Sequence, residues 1–259
     1  MTKYPPERQG AITQLLMAEQ GRGSVAMISE RLGVTTETVR RDLDVLERRG
    51  VLRRVHGGAE LLESTPFEQA LAARHAEQRT EKVAIARRLV DEVPEDGVVL
   101  LDSGSLTFVF AQALPLDRPL VVVTNNLPAA QVLCGHENLR VLTLPGMIRG
   151  LTAAAVDAAT KRQLESLTVD LAVIGVNGLT PDQGLTTTNP EEAAVKRAML
   201  LAARRRVVPV ISGKVGRNSF CSFAAVSEVD LIITDSGAQP DVLADLAAAG
   251  PEVVVVDDS

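Results

Sequence analysis

Six arginines fall between positions 40 and 56, against three acids. Cations at that density meet phosphate oxygens, and Arg also reads base edges in a DNA groove. The residues that would do this are Thr35, Thr36, Glu37, Thr38, Arg40 and Arg41, followed by Arg53, Arg54 and His56. A second set is small and polar: Asp102-Ser103-Gly104-Ser105, Thr124-Asn125-Asn126, Gly146 with Arg149, Gly175 with Asn177 and Gly178, and Lys214. Small residues let a backbone come close to a ligand, and free amides at a helix start bind an anion. Lys214 would add a point charge to the same anion, and Asn125, Asn126 and Asn177 could read hydroxyls.

The first set needs a helix to present it. Thr35 is placed to cap one, and Glu37 suits the positive end of its dipole. Val39, Leu43 and Leu46 recur at i, i+4 and i+7, so one stripe faces a core. Glu37, Arg40, Arg41, Asp44 and Arg48 lie opposite, and Gly50 closes the helix. Upstream, Val25, Ile28 and Leu32 give a second amphipathic run, and Gly33 supplies a tight turn. Two helices joined this way form a helix-turn-helix unit, whose second helix enters the major groove. Val51–Val55, then His56-Gly57-Gly58, fits the strand and tip of a wing. Before these, residues 1–7 are expected as an irregular lead, with Pro5-Pro6 barring an earlier helix start. Gln9–Gln20 is then the first helix and Gly21–Ser24 a loop whose Ser24 caps the next helix.

The second set needs a sheet. Seven β-branched runs alternate with Ala-rich helical stretches: 98–102, 120–126, 139–146, 171–178, 206–213, 231–235 and 253–256. Such runs predict a mostly parallel sheet covered on both faces, with right-handed crossovers. Ligands in open α/β sheets bind beyond the carboxyl ends of the strands, where these polar residues cluster. Asp102–Ser105, followed by a helix from Leu106, is therefore the expected phosphate site. Each residue has a plainer alternative: D-S-G-S as a connecting turn, Asn-Asn as a helix cap, Lys214 as a solvated loop residue, and Arg40-Arg41 as solvation of a surface helix.

The fold class expected is α/β, with a winged helix-turn-helix domain over 1–59, a linker over 60–80 and a larger sensor domain over 81–259. The net charge of -6 opposes nucleic-acid binding until the chain is split. Residues 1–60 hold ten Lys and Arg against eight acids, while residues 61–259 hold 17 against 25. The basic patch is modest, so DNA binding should need two copies of the domain. Aromatics at 2% with no Trp exclude a base-stacking platform for single strands or RNA. Two cysteines give neither a disulfide framework nor zinc spacing, and no cofactor or metal is expected. No signal-peptide core or membrane-length apolar run is present, so a cytoplasmic protein without a membrane partner is expected.

The wording V-T-T-E-T-V-R-R-D-L-D-V-L-E-R-R-G-V-L-R-R-V-H-G-G-A over residues 34–59 resembles the N-terminal signature of DeoR-family bacterial transcription regulators. The resemblance extends through Arg8, Ile12, Leu15 and Leu16, and Phe67 to Arg74 matches the family's interdomain segment. It also reaches the sensor half, where the family resembles phosphosugar isomerases and CoA transferases. Asp102, Gly104, Thr124, Asn125, Gly146, Arg149, Gly175, Gly178 and Lys214 match its strand-end motifs. Departures are Leu106 for a Thr, Pro145 for a Gly, Ile211 for an Asp and Gly213 for a Ser. The resemblance implies a homo-oligomeric repressor, dimer or tetramer, of a sugar-utilisation operon. It would bind double-stranded operator DNA and be released by a phosphorylated sugar. Two alternatives remain. One is a phosphosugar isomerase or deaminase with an appended DNA-binding domain, for which Asp102 would be the acid. The other is a sensor domain that only oligomerises.

Overall fold

The computed structural model describes residues 5–19, 21–48, 52–55, 57–61 and 78–257. The chain divides into two units, Met1–Glu68 and Gln69–Ser259.

The first unit runs α1 (Pro5–Ala18), β1 (Arg22–Ser24), α2 (Val25–Leu32), α3 (Thr36–Arg48), β2 (Leu52–Val55) and β3 (Gly58–Leu61). Ser24 caps α2 by accepting from the Met27 amide, and Gly33 ends it with φ 63, a left-handed turn favouring Gly. Thr35 caps α3 through the Thr38 amide at 3.3 Å. Ile12, Leu16, Val25, Ile28, Val39, Leu43, Leu46, Leu52 and Ala59 form one core, so all three helices and the wing share it. Two sequence expectations change. The helix begins at Pro5, because proline is tolerated in a first helical turn, where its missing N–H costs nothing. Residues 22–24 are a strand, because they pair antiparallel with β3, Arg22 opposite Glu60. The three strands lie in the order β1-β3-β2. A Cβ at Gly58 would meet the Gly23 carbonyl oxygen at 2.3 Å, so only Gly permits this pairing. His56, Gly50, Phe67 and Arg74 lie outside the described residues.

The second unit is built on seven strands: β4 (Gly97–Leu101), β5 (Leu120–Thr124), β6 (Leu139–Thr143), β9 (Val169–Val173), β12 (Ala203–Pro209), β14 (Leu231–Asp235) and β15 (Glu252–Val256). Their order is β15-β14-β12-β9-β4-β5-β6, and every neighbouring pair is parallel. The sequence runs outward from β4 to β6 on one side and from β9 to β15 on the other. The order therefore reverses between β4 and β9, which creates a crevice at their carboxyl ends. Helices α4 (Arg79–Val90), α5 (Ser105–Ala113), α6 (Leu127–Leu133), α7 (Ala158–Glu165), α8 (Pro190–Ala202) and α9 (Pro240–Ala248) follow or precede these strands. Apolar clusters lie on each side of the sheet: Leu100, Ala172, Val208 and Ile232 belong to one, Val99, Leu101, Leu171 and Val207 to the other. Alternate residues of single strands thus serve opposite cores, as continuous apolar runs require. A hairpin of β7 (Ile148–Arg149) and β8 (Ala154–Ala155), and an antiparallel sheet of β10 (Gly178–Thr180), β11 (Gly184–Thr187) and β13 (Cys221–Ala224), complete the unit.

Candidate functional site

In the first unit, α3 buries one stripe completely: Val39 and Leu43 are 0% exposed and Leu46 4%. Thr35, Thr36, Glu37, Arg40, Arg41 and Asp44 are exposed, and Thr38 is half-buried. Burial of each apolar side chain contributes about 1.5–3 kcal/mol, which holds the charged face outward. Below it, Asp42 accepts from Arg8 Nε at 2.5 Å and Nη2 at 3.1 Å, tying α3 to α1. Arg40 sits 3.7 Å from Glu37, a loose exposed pair of small energetic weight. The Arg41 side chain makes no hydrogen bond or ion pair among the described residues. Among the described side chains of the helix, these two guanidiniums are the accessible cations.

The wing arginines differ from them. Arg53 donates to Glu60 from Nε at 2.9 Å and Nη2 at 2.7 Å, and Arg22 Nε donates to the same carboxylate at 2.6 Å. Hydrogen bonds from Arg53 and Arg22 hold the Glu60 carboxyl below its ordinary range. Arg54 turns onto α3 and pairs with Asp44. Sequence reasoning had grouped Arg53 and Arg54 as equivalent.

In the second unit the expected polar residues gather at the carboxyl ends of β4, β5, β9 and β12. Asp102 follows β4 and is 1% exposed. Its carboxylate accepts from the Gly175 amide at 2.9 Å and pairs with the Lys196 ammonium of α8. Lys196 also donates to the Gly175 carbonyl at 2.9 Å and lies 6.0 Å from the Phe223 ring centre. Burial pushes the Asp102 carboxyl above its usual value, while Lys196 and the Ser103 and Gly175 amides draw it back. A Cβ at Gly175 would come within 3.2 Å of the Ser103 carbonyl oxygen, so a small residue is what lets β9 approach β4 here. Gly104 takes φ 135 at the start of α5 and supplies no side-chain cap, so that helix keeps first-turn amides without an intrahelical partner. Ser103 and Ser105 are buried beside it.

Thr124 donates to the Leu101 carbonyl at 2.7 Å and accepts from the Asn126 amide, locking the ends of β4 and β5 together. Asn126 caps α6 through the Ala129 amide, the plainer of its two sequence roles. Asn125 donates to the Ala155 carbonyl at 3.2 Å, but its side-chain oxygen is buried without a partner. The orphaned atom is an acceptor, which suits a ligand hydroxyl or N–H. Arg149, on β7, stands 3.2 Å from Glu192 of α8, whose carboxylate also accepts from Thr152 at 2.9 Å. Asn177 accepts from Thr187 at 3.0 Å, and Thr187 lies 3.4 Å from Glu192. Lys214, in the turn after β12, donates to the Val176 carbonyl at 2.8 Å. The expected residues on β4, β5, β7, β9 and β12 are therefore brought to one end of the sheet.

Gly146 and Gly178 have a packing reason of their own. Cβ atoms there would meet Thr160 Oγ1 and the Arg217 carbonyl oxygen, each at 2.3 Å. Beside Ile211, which stands where the family has Asp, the Ser212 amide donates to Asp235 of β14 at 2.7 Å. Sequence reasoning missed Glu192 and Lys196. From sequence, Glu191 and Glu192 read as acids at a helix start serving its dipole. The available signal was that Ala193, Val195 and Met199 leave this helix little solvent-facing surface. Among the described residues no cluster of three or more His, Cys, Asp or Glu could hold a metal, and no helix is long and apolar enough to cross a membrane.

A family model of the DeoR-like helix-turn-helix domain matches residues 8–65, and one of the DeoR C terminal sensor domain matches residues 77–236. The chain is 36% identical over 250 residues to the HTH-type transcriptional regulator GlpR of Haloferax volcanii, covering 96% of this chain and 97% of that one. It is 30% identical over 233 residues to the glycerol-3-phosphate regulon repressor of Escherichia coli K12, covering 89% and 90% respectively.

Proposed function

The chain belongs to the DeoR family of transcription regulators, and from that premise we propose that it represses a sugar-utilisation operon until a phosphorylated sugar or related metabolite releases it. The observation that supports this most is α3, whose dry face is buried while Arg40 and Arg41 are exposed on the other. Thr36 and Arg40, near its N-terminal end, would meet base edges, with Arg41 and Arg53 toward phosphates. A relative named as a glycerol-3-phosphate regulon repressor supports both repression and a phosphorylated signal. As with these relatives, the function is regulation and not catalysis.

The effector would sit over the reversal between β4 and β9. Ser103–Ser105 at the α5 start and Lys214 would take its phosphate, while Asn125 and Asn177 would meet hydroxyls. Asp102, Thr124, Gly146, Gly175 and Gly178 would shape the site, and Arg149 would close it from the β7–β8 hairpin. Two copies of the chain would present paired reading helices to a two-fold operator, and effector binding would alter their spacing. The test is a gel shift of the promoter fragment upstream of its own operon, titrated with sugar phosphates. Release by one compound at micromolar to millimolar concentration is the expected result. Turnover of that compound would favour an enzyme, and a promoter complex indifferent to every compound would leave only an oligomerising sensor.

A further inference from the structure

Strand β2 carries two adjacent arginines, and the pleat sends them to opposite faces. Leu52 is fully buried in the core, and Arg54, two residues on, must share its side of the strand. That side faces α3. The Arg54 guanidinium pairs with Asp44, and its Nη1 donates to the Arg40 carbonyl at 3.4 Å. The Arg54 backbone amide donates to Glu47 at 2.7 Å, which occupies the open edge of β2 with an α3 side chain. The Arg54 Nε is buried with no partner. Arg53 on the other face is 61% exposed in its side chain, whereas Arg54 is 30% exposed.

We infer that Arg54 is a positioning residue, clamping the wing to the DNA-reading helix and fixing the attitude of Arg40, and that it makes no phosphate contact. The inference rests on the DNA-binding function proposed above. Arg40 is held through its own backbone carbonyl, so losing Arg54 would loosen the turn of α3 that carries it. A phosphate contact and a clamp differ in what salt does to them. Each phosphate neutralised by a cation adds about one unit to the slope of log affinity against log salt concentration. A clamp adds nothing to that slope, whatever it does to affinity.

The experiment measures full-length protein on its promoter fragment and on an unrelated duplex, across a salt series, for wild type, Arg54→Ala and Arg54→Gln. Gln keeps a donor for the Arg40 carbonyl and guards against a variant that fails to fold. The expected result is a slope equal to wild type within about 0.3, with promoter affinity down roughly tenfold and the unrelated duplex little changed. In an Asp44→Ala background the loss from Arg54→Ala should largely vanish, since the two residues act as one unit. A slope lower by about one, with promoter and unrelated duplex weakened alike, would overturn the clamp while leaving the regulator intact. No wild-type binding to either duplex would overturn both.

Discussion

The two units handle charge in opposite ways. In the first, Arg40 and Arg41 stand in solvent on a helix whose other face is dry. In the second, Asp102, Glu192 and Lys196 are all at least 95% buried at the end of a sheet. The contrast follows from what each would recognise. A polyanion as large as a duplex must be met on an open surface, where each contact is weak and numbers compensate. A small metabolite is met in a crevice, where few groups act at close range in low dielectric and each must be paired when the ligand is away.

Asp102→Ala would break this contrast most severely, since it leaves the Lys196 ammonium buried without its carboxylate. The expected loss is about 3–5 kcal/mol of the sensor unit's stability by urea unfolding, against below about 1 kcal/mol for the exposed Asp44→Ala. Equal losses would mean that the two pairs are equally solvated. Next in size is Arg40→Ala, for which a fall in promoter affinity of about ten- to a hundredfold is expected, or roughly 1–3 kcal/mol. The melting temperature should not move. Unchanged affinity would take α3 out of the groove. Asn126→Ala should cost about 1 kcal/mol by removing the cap of α6. If that variant is as stable as wild type but no longer answers the effector, Asn126 belongs with the ligand groups.

The smallest effect is the share of the acid-side pH dependence that Glu60 contributes in the first unit. Glu60 has its carboxyl lowered by Arg53 and Arg22. A depressed acid contributes stability that is complete above its unfolded value, near 4.3, and lost as pH falls through the lower folded value. Circular dichroism of the wild type should show melting temperature falling in that acid window, and Glu60→Gln should flatten the fall. A Gln variant with the wild-type profile would assign the dependence to other carboxylates.

Much of this fold was legible because its strands are buried on both faces. A run such as Leu120–Thr124 is then continuously apolar; seven such runs predicted a mostly parallel sheet, and each falls on one strand of the seven-stranded sheet. Helix α3 was legible because cap and periodicity agreed. Strand β1 was not, because Arg22-Gly23-Ser24 has the composition of a turn and becomes a strand only by pairing with β3. The difference between Arg53 and Arg54 was in the pleat, one residue apart, but needed the position of α3 to be seen. The role of Lys196 was hidden for a related reason. Its partner Asp102 is 94 residues away, and no local pattern reports a contact at that separation.

The central claim is that the first unit grips duplex DNA and the second unit governs that grip through a small anion. It is tested most directly by titrating folded, purified protein onto its own promoter fragment at low ionic strength, with and without a sugar phosphate. A specific complex that weakens log-linearly with salt, and dissociates with one phosphorylated compound, is the predicted result. Folded protein that shifts neither its promoter nor any other duplex at low salt would contradict it.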